Sequence, residues 1–161
     1  MIIKAIVVKS LNGVIAVDGK LPWNLKEDMA SFKACTVHDA VVMGRRTWEG
    51  LFIQPLPNRL NIVVSRSLLP QPGVTVVRKI EHAYQLSSVH QYANLWVIGG
   101  ADIYNALADV IQEWYVTEVN EILPYGLTIP KLDKAVWECD FIKPARTFNG
   151  SFKIYTRRAT E

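Results

Sequence analysis

Short apolar runs at Ile2 to Val8, Ala40 to Met43, Asn61 to Ser65, Val74 to Val77 and Leu95 to Ile98 constrain this chain more than any other feature. Each is brief and rich in β-formers, and most are followed by a turn and then a stretch of helical period. Ile62-Val63-Val64 and Trp96-Val97-Ile98 show no polar alternation. Such strands belong in a largely parallel sheet covered on both faces. The order is therefore α/β. Trp114 to Val119, Val136 to Phe141 and Phe152 to Arg157 then read as strands with no helix between them, so an antiparallel edge is expected there. Pro70-Gln71-Pro72-Gly73, Leu123-Pro124-Tyr125-Gly126 and Asn149-Gly150 are turn or loop signals. No internal repeat, low-complexity tract or linker interrupts the pattern. With half of its 161 residues hydrophobic, the chain suffices for one well-buried domain over residues 1–161.

Charge and special residues narrow the function classes. A net charge of +3, from 18 basic and 15 acidic residues, is too small and scattered for a nucleic-acid partner, although anionic small ligands fit it. Cys35 and Cys139 lack CxxC spacing and are expected to be reduced packing residues, while His38, His82 and His90 form no metal-ligand pattern. No metal is expected. The run from Met1 to Val8 is broken by Lys4 and Lys9. It lacks both a signal-peptide core and the roughly 20 apolar residues of a membrane span. The expectation is a soluble, cytoplasmic protein without a membrane partner.

Four places carry possible chemistry. A helix after Trp23 would put Leu25, Asp28, Met29, Phe32 and Thr36 on one face, setting a carboxylate among groups that seek a core or pocket. Asp28 is then either a satisfied structural carboxylate or a functional acid of raised pKa, and the residues alone leave both open. Met43-Gly44-Arg45-Arg46-Thr47-Trp48 follows a strand and opens a helical pattern. Free backbone N–H groups, the helix dipole and two guanidinium groups there suit a phosphate, against the plain reading of solvated surface charges. Val97-Ile98-Gly99-Gly100-Ala101 ends a strand and begins a helix, Asp102 to Leu107, with no side chains to keep a ligand away. A tight turn alone would also require those glycines, and they do not make GxGxxG. Arg59, after Leu56-Pro57-Asn58, reads by itself as a solvated or paired surface residue.

Taken together, the residues resemble one family, the dihydrofolate reductases of the bacterial chromosomal type. The matching residues are Gly13-Val14-Ile15, Leu21-Pro22-Trp23-Asn24-Leu25, Asp28, Phe32-Lys33, Thr36, Val42 to Glu49, Pro55 to Asn61, Val97 to Gly100, Ile103-Tyr104 and Thr117. They keep the family's order and nearly its spacing, with about one extra residue between Trp48 and Pro55, and span the chain. The fold implied is a single-domain dihydrofolate reductase-like α/β fold, with a mostly parallel central sheet, helices on both faces and an antiparallel C-terminal edge.

The activity implied is NADPH-dependent reduction of 7,8-dihydrofolate to tetrahydrofolate for one-carbon metabolism, by hydride transfer to C6 and protonation of N5. By resemblance, Asp28 is the catalytic acid that holds the pterin 2-amino group and N3, supported by Thr117 and an ordered water near Trp23. Ile6, Met29, Phe32 and Leu51 would surround the pterin and benzoyl rings, and Arg59 would meet the α-carboxylate of the glutamate tail. For the cofactor, the resemblance implies Val8, Ile15, Ala16, Gly19, Lys20 and Leu21 together with Gly99, Gly100, Ala101, Asp102, Ile103 and Tyr104. Gly44, Arg46 and Thr47 would add phosphate contacts, while Arg45, Ser65, Arg66 and Arg78 match the region of the adenosine 2′-phosphate. Cations there would favour NADPH over NADH. Folate analogues are expected ligands, and a monomer the expected state.

Two other readings compete. A related pterin or pyrimidine reductase without the glutamate tail is disfavoured by Phe32 and Arg59, and a non-catalytic pterin- or NADPH-binding structural protein by Asp28, Thr117 and Gly99-Gly100. The chain also departs from the family: Ala16 replaces a loop Gly, Leu21 a common Met and Asp102 a frequent basic residue. Asp102 is expected to cap its helix. Gly126 stands where many relatives carry an Asp that accepts hydrogen bonds from the active-site loop, Gly13 to Leu21. That loop is expected to open more readily here, and Gly126→Asp to order it if the backbone there accepts a side chain.

Overall fold

The parallel runs pair as a sheet because each is too apolar to leave either face in water. In the computed structural model, which describes residues 1–160, β1 (Ile2–Ser10), β3 (Ala40–Gly44), β4 (Leu60–Val64), β5 (Thr75–Val77), β6 (Asn94–Val97) and β7 (Glu113–Val119) run parallel. β9 (Trp137–Pro144) and β10 (Gly150–Arg157) complete an eight-stranded sheet of order β5-β4-β3-β6-β1-β7-β10-β9. β10 is antiparallel to both neighbours, so the antiparallel edge lies where the sequence places it.

Alternate residues of the same strands feed two cores. Ala5, Val7, Val42, Ile62, Leu95 and Val97 pack on one face, under α3 (His82–Gln85) and α4 (Ala101–Leu107). Val41, Met43, Val63 and Trp96 pack on the other, against α1 (Lys26–Thr36) and α2 (Arg45–Glu49) through Cys35 and Trp48. Burying each such Val, Leu or Ile contributes about 1.5–3 kcal/mol. Helices therefore cover both faces.

The structure corrects several local expectations. Ser65 lies just beyond β4, and the last strand pair shifts register between Ile154 and Tyr155. Asp102 does not cap α4: Gly100 holds the N-cap position without a side-chain bond, and Asp102 sits in the first turn, where its charge meets the helix dipole. Cys139 is exposed rather than packed, whereas Cys35 is half-buried, and both are free thiols. A two-stranded ladder is new: β2 (Val14–Ala16) pairs with β8 (Leu127–Thr128), tying the loop after β1 to the loop after β7. No described helix is long and apolar enough to cross a membrane.

Candidate active site

Parallel strands end at one edge of a sheet, and in open α/β sheets ligands bind in the crevice outside those ends. Here that edge carries Gly44 at the end of β3, Ser65 after β4, Arg78 after β5 and Gly99 after β6. The amide of Gly44 donates to the carbonyl of Gly99 at 2.9 Å, so the two glycine turns and the starts of α2 and α4 lie side by side. The Gly99–Gly100 peptide is cis. Gly99 has φ +120°, which calls for glycine, although a Cβ there would be in ordinary contact with the ring of Tyr104, at 3.4 Å. A Cβ at Gly100 would meet only Thr47 Oγ1, at 3.8 Å, which leaves the gap between the helix starts open.

The cationic residues of this edge divide. Arg46 and Arg66 are exposed. Arg45 Nη1 is paired with Glu49 Oε1 at 2.8 Å, one turn along α2. Arg78 Nη1 donates to the carbonyls of Ser65 and Leu68, fastening the turn after β4, while Ser65 Oγ accepts from the amides of Ser67 and Leu68.

The carboxylate lies on the α1 side of the same edge. Asp28 Oδ1 accepts a hydrogen bond from Thr117 Oγ1 at 2.6 Å, its one protein partner among the described residues. Thr117 pairs with Val8, two places along β1 from Ile6, so Ile6, Val8 and Thr117 share the sheet face beneath α1. Burial pushes the Asp28 carboxyl above its ordinary value, and the Thr117 hydrogen bond opposes this without cancelling it. The Tyr104 hydroxyl donates to the carbonyl of Ile6 at 2.7 Å, joining α4 to the floor of the site, and burial raises its pKa so far that it stays neutral.

The expected ring-binding residues form an open rim. Met29 is 59 % exposed, so the apolar face of α1 borders a cleft rather than the core. Arg59 Nη1 donates to Thr36 Oγ1 at 2.9 Å and its Nε to the carbonyl of Pro57 at 3.0 Å, which holds the guanidinium 5.9 Å from the centre of the Phe32 ring. The rest of its donor fork is free for an anion. Trp23 Nε1 donates to Glu121 Oε2 at 3.0 Å, so the indole is tied to the loop after β7 rather than to Asp28.

Sequence reasoning overlooked Glu121, Tyr115 and Phe52. Tyr115 lies on the same sheet face as Thr117, edge-on to Trp96 at 4.9 Å, and an apolar residue in a strand reads as core. Phe52, 104 % exposed after α2, is the signal most open to detection, since a fully solvated aromatic ring beside Leu51 marks an unfilled surface.

A family model described as "Dihydrofolate reductase" matches residues 2–157. The chain belongs to the dihydrofolate reductase family. Curated dihydrofolate reductases agree over most of their length: one from Haemophilus influenzae is 33% identical over 88% of this chain and 86% of its own, and one from Buchnera aphidicola 36% identical over 98% and 100%. A solved dihydrofolate reductase from Enterococcus faecalis, complexed with NADP(H) and RAB-propyl, superposes with a TM-score of 0.84 at 31% identity, covering 98% of this chain and 97% of that one. Dihydrofolate reductase membership carries the activity with it, NADPH-dependent reduction of dihydrofolate. The residues present suit the dinucleotide: two helix starts joined through Gly44 and Gly99, free of side chains at Gly100, with exposed Arg46 and Arg66 on the same edge.

Proposed function

We propose that this chain reduces 7,8-dihydrofolate to 5,6,7,8-tetrahydrofolate at the C-terminal edge of its parallel strands, with Asp28 reading the pterin and governing protonation of N5. The observation that carries this reading is the half-buried Asp28 carboxylate, steadied by a single hydroxyl from Thr117. A carboxylate offers about four lone-pair sites, so most remain to accept from the 2-amino group and N3 of the ring. NADPH supplies the hydride when bound. Ile6, Met29, Phe32 and Leu51 exclude water from the rings, and Arg59, already braced by Thr36 and Pro57, holds the glutamate tail. Trp23 closes the far side, with its indole steadied by Glu121.

For the cofactor, Val8, Ile15 to Leu21 and Gly99 to Tyr104 border nicotinamide and pyrophosphate. Gly44, Arg46 and Thr47 add phosphate contacts, and Arg45, Ser65, Arg66 and Arg78 face the 2′-phosphate. Holding both reactants in contact replaces a bimolecular encounter by an intramolecular one, a large share of the expected acceleration. The enzyme works in this reading as a cytoplasmic monomer of one domain, over residues 1–161, without a nucleic-acid partner. A spectrophotometric assay of NADPH oxidation with dihydrofolate tests it: turnover is expected with the wild type, and absence of turnover at saturating substrate overturns it.

A further inference from the structure

Beside the Asp28 stripe of α1 lies a cavity of about 370 Å³, of whose lining the reductase reading uses only Ile6 and Thr117. It exists because α1 turns a second stripe inward. Glu27, Ser31 and Cys35 recur every four residues and so share a face. Cys35 packs against the sheet core, but Ser31 is too small to fill the space between α1 and the strands opposite. That floor is set by register: Phe152 pairs with Thr117, Ile154 with Tyr115 and Lys143 with Phe152, so these side chains share one face across β7, β10 and β9. The result is a slot with a polar, small-residue roof and an aromatic and branched floor. Its volume falls in the range of small-molecule pockets, about 300–1,000 Å³.

The charges at the mouth select the ligand. Both oxygens of Glu27 accept from the amide of Arg146, and Oε1 also from the amide and hydroxyl of Thr147, so this carboxylate is committed to the turn between β9 and β10. Lys143 forms no salt bridge among the described residues. We propose that the cavity is a second ligand site for a planar aromatic monocarboxylate, its ring between Ser31 and the Phe152–Ile154 floor and its carboxylate on Lys143 Nζ. Thr117 lines the cavity and also donates to Asp28. The occupant therefore lies one hydrogen bond from the catalytic acid.

The test titrates naphthalene-2-carboxylate into enzyme already saturated with folate and NADP⁺, so that the reductase cleft is filled, and follows heat and methyl NMR shifts. Saturable binding that moves the Ile154 methyl resonances and leaves those of Leu51 in place is expected. Ser31→Phe, which fills the slot, is expected to weaken the naphthoate about tenfold or more while folate binding persists. Lys143→Gln is expected to weaken it about threefold, and to leave the uncharged naphthalene-2-carboxamide unaffected. Lys143 is exposed, so that variant and the Ile154 shift decide the matter even if Ser31→Phe fails to fold. No saturable binding, shifts confined to Leu51, or equal effects of Lys143→Gln on acid and amide overturn the proposal.

Discussion

Two aspartates sit beside apolar strands here, and their hydrogen bonds separate them. Asp39 Oδ2 accepts from Asn94 Nδ2 and Trp96 Nε1 at 3.0 and 2.9 Å, so it fastens the start of β3 to β6. Asp28 has one hydroxyl partner and a pKa raised by burial. The folded chain thus binds the Asp28 proton more tightly than the unfolded chain, and from the ordinary carboxylate pKa of 3.8 up to the raised value this group subtracts stability as pH rises. Asp28→Asn removes that loss: urea unfolding across a pH series is expected to show the variant gaining on the wild type through this window and keeping the gain at neutral pH. Catalysis is expected to move the other way, falling about 10²- to 10⁴-fold near neutral pH and recovering in acid, where solvent protonates the substrate. An equal loss at every pH would show that Asp28 does not govern the proton. Arg59→Ala is expected to cost folate about 2 kcal/mol or more and to spare a pterin without the glutamate tail, a contrast measured by calorimetry. Asp28 stands out in the sequence because a charge interrupts an apolar pattern, whereas Arg59 by itself reads as a surface residue and is singled out only through the family resemblance. The grip of Glu121 on Trp23 does not stand out, because it joins residues 98 apart and leaves no local period.

Elements show the same division. The hydrophobic period of α1 reveals the stripe through Leu25, Asp28 and Phe32, but Glu27 and Ser31 read as a solvent face, since small and polar residues give no inward signal. Likewise β2 and β8 are three- and two-residue pieces, too short for a period to register, yet their ladder pairs Val14 with Thr128 and Ala16 with Leu127. The loop after β1 is therefore gripped through its backbone. The condition set for Gly126→Asp, a backbone that accepts a side chain, is not met. Gly126 has φ +146°, and a Cβ there would collide with the side chain of Val14 and the carbonyl of Ala16. Such a variant is expected to lose about 1–3 kcal/mol and to unpair β2 from β8, seen as a lower melting temperature and added exchange broadening at Val14 to Ala16. A stable variant with a quieter loop would refute that.

At the scale of the molecule, the alternating order of runs foretells parallel strands under two helical layers, and the row of strand ends follows from it. Strand order is less legible, because pairing partners lie far apart in sequence and no residue names its neighbour. We propose that the row also sets cofactor choice. Replacing Arg66 by Ser is expected to raise the Michaelis constant for NADPH more than Arg45→Ser does, since Arg45 is already paired with Glu49, and to change that for NADH little. Equal penalties for both cofactors in steady-state kinetics would make these arginines structural. One further consequence concerns synthesis on the ribosome. β10 lies between β7 and β9, so β9 has no place on the sheet until residues 150–157 have emerged. A nascent chain halted at Asn149 presents the bare edge of β7, with Trp114, Val116 and Val119, to whatever is nearby, and such an edge invites pairing with other chains. Translation of the last strand, rather than collapse of the parallel half, then sets the moment at which this enzyme becomes safe from its neighbours.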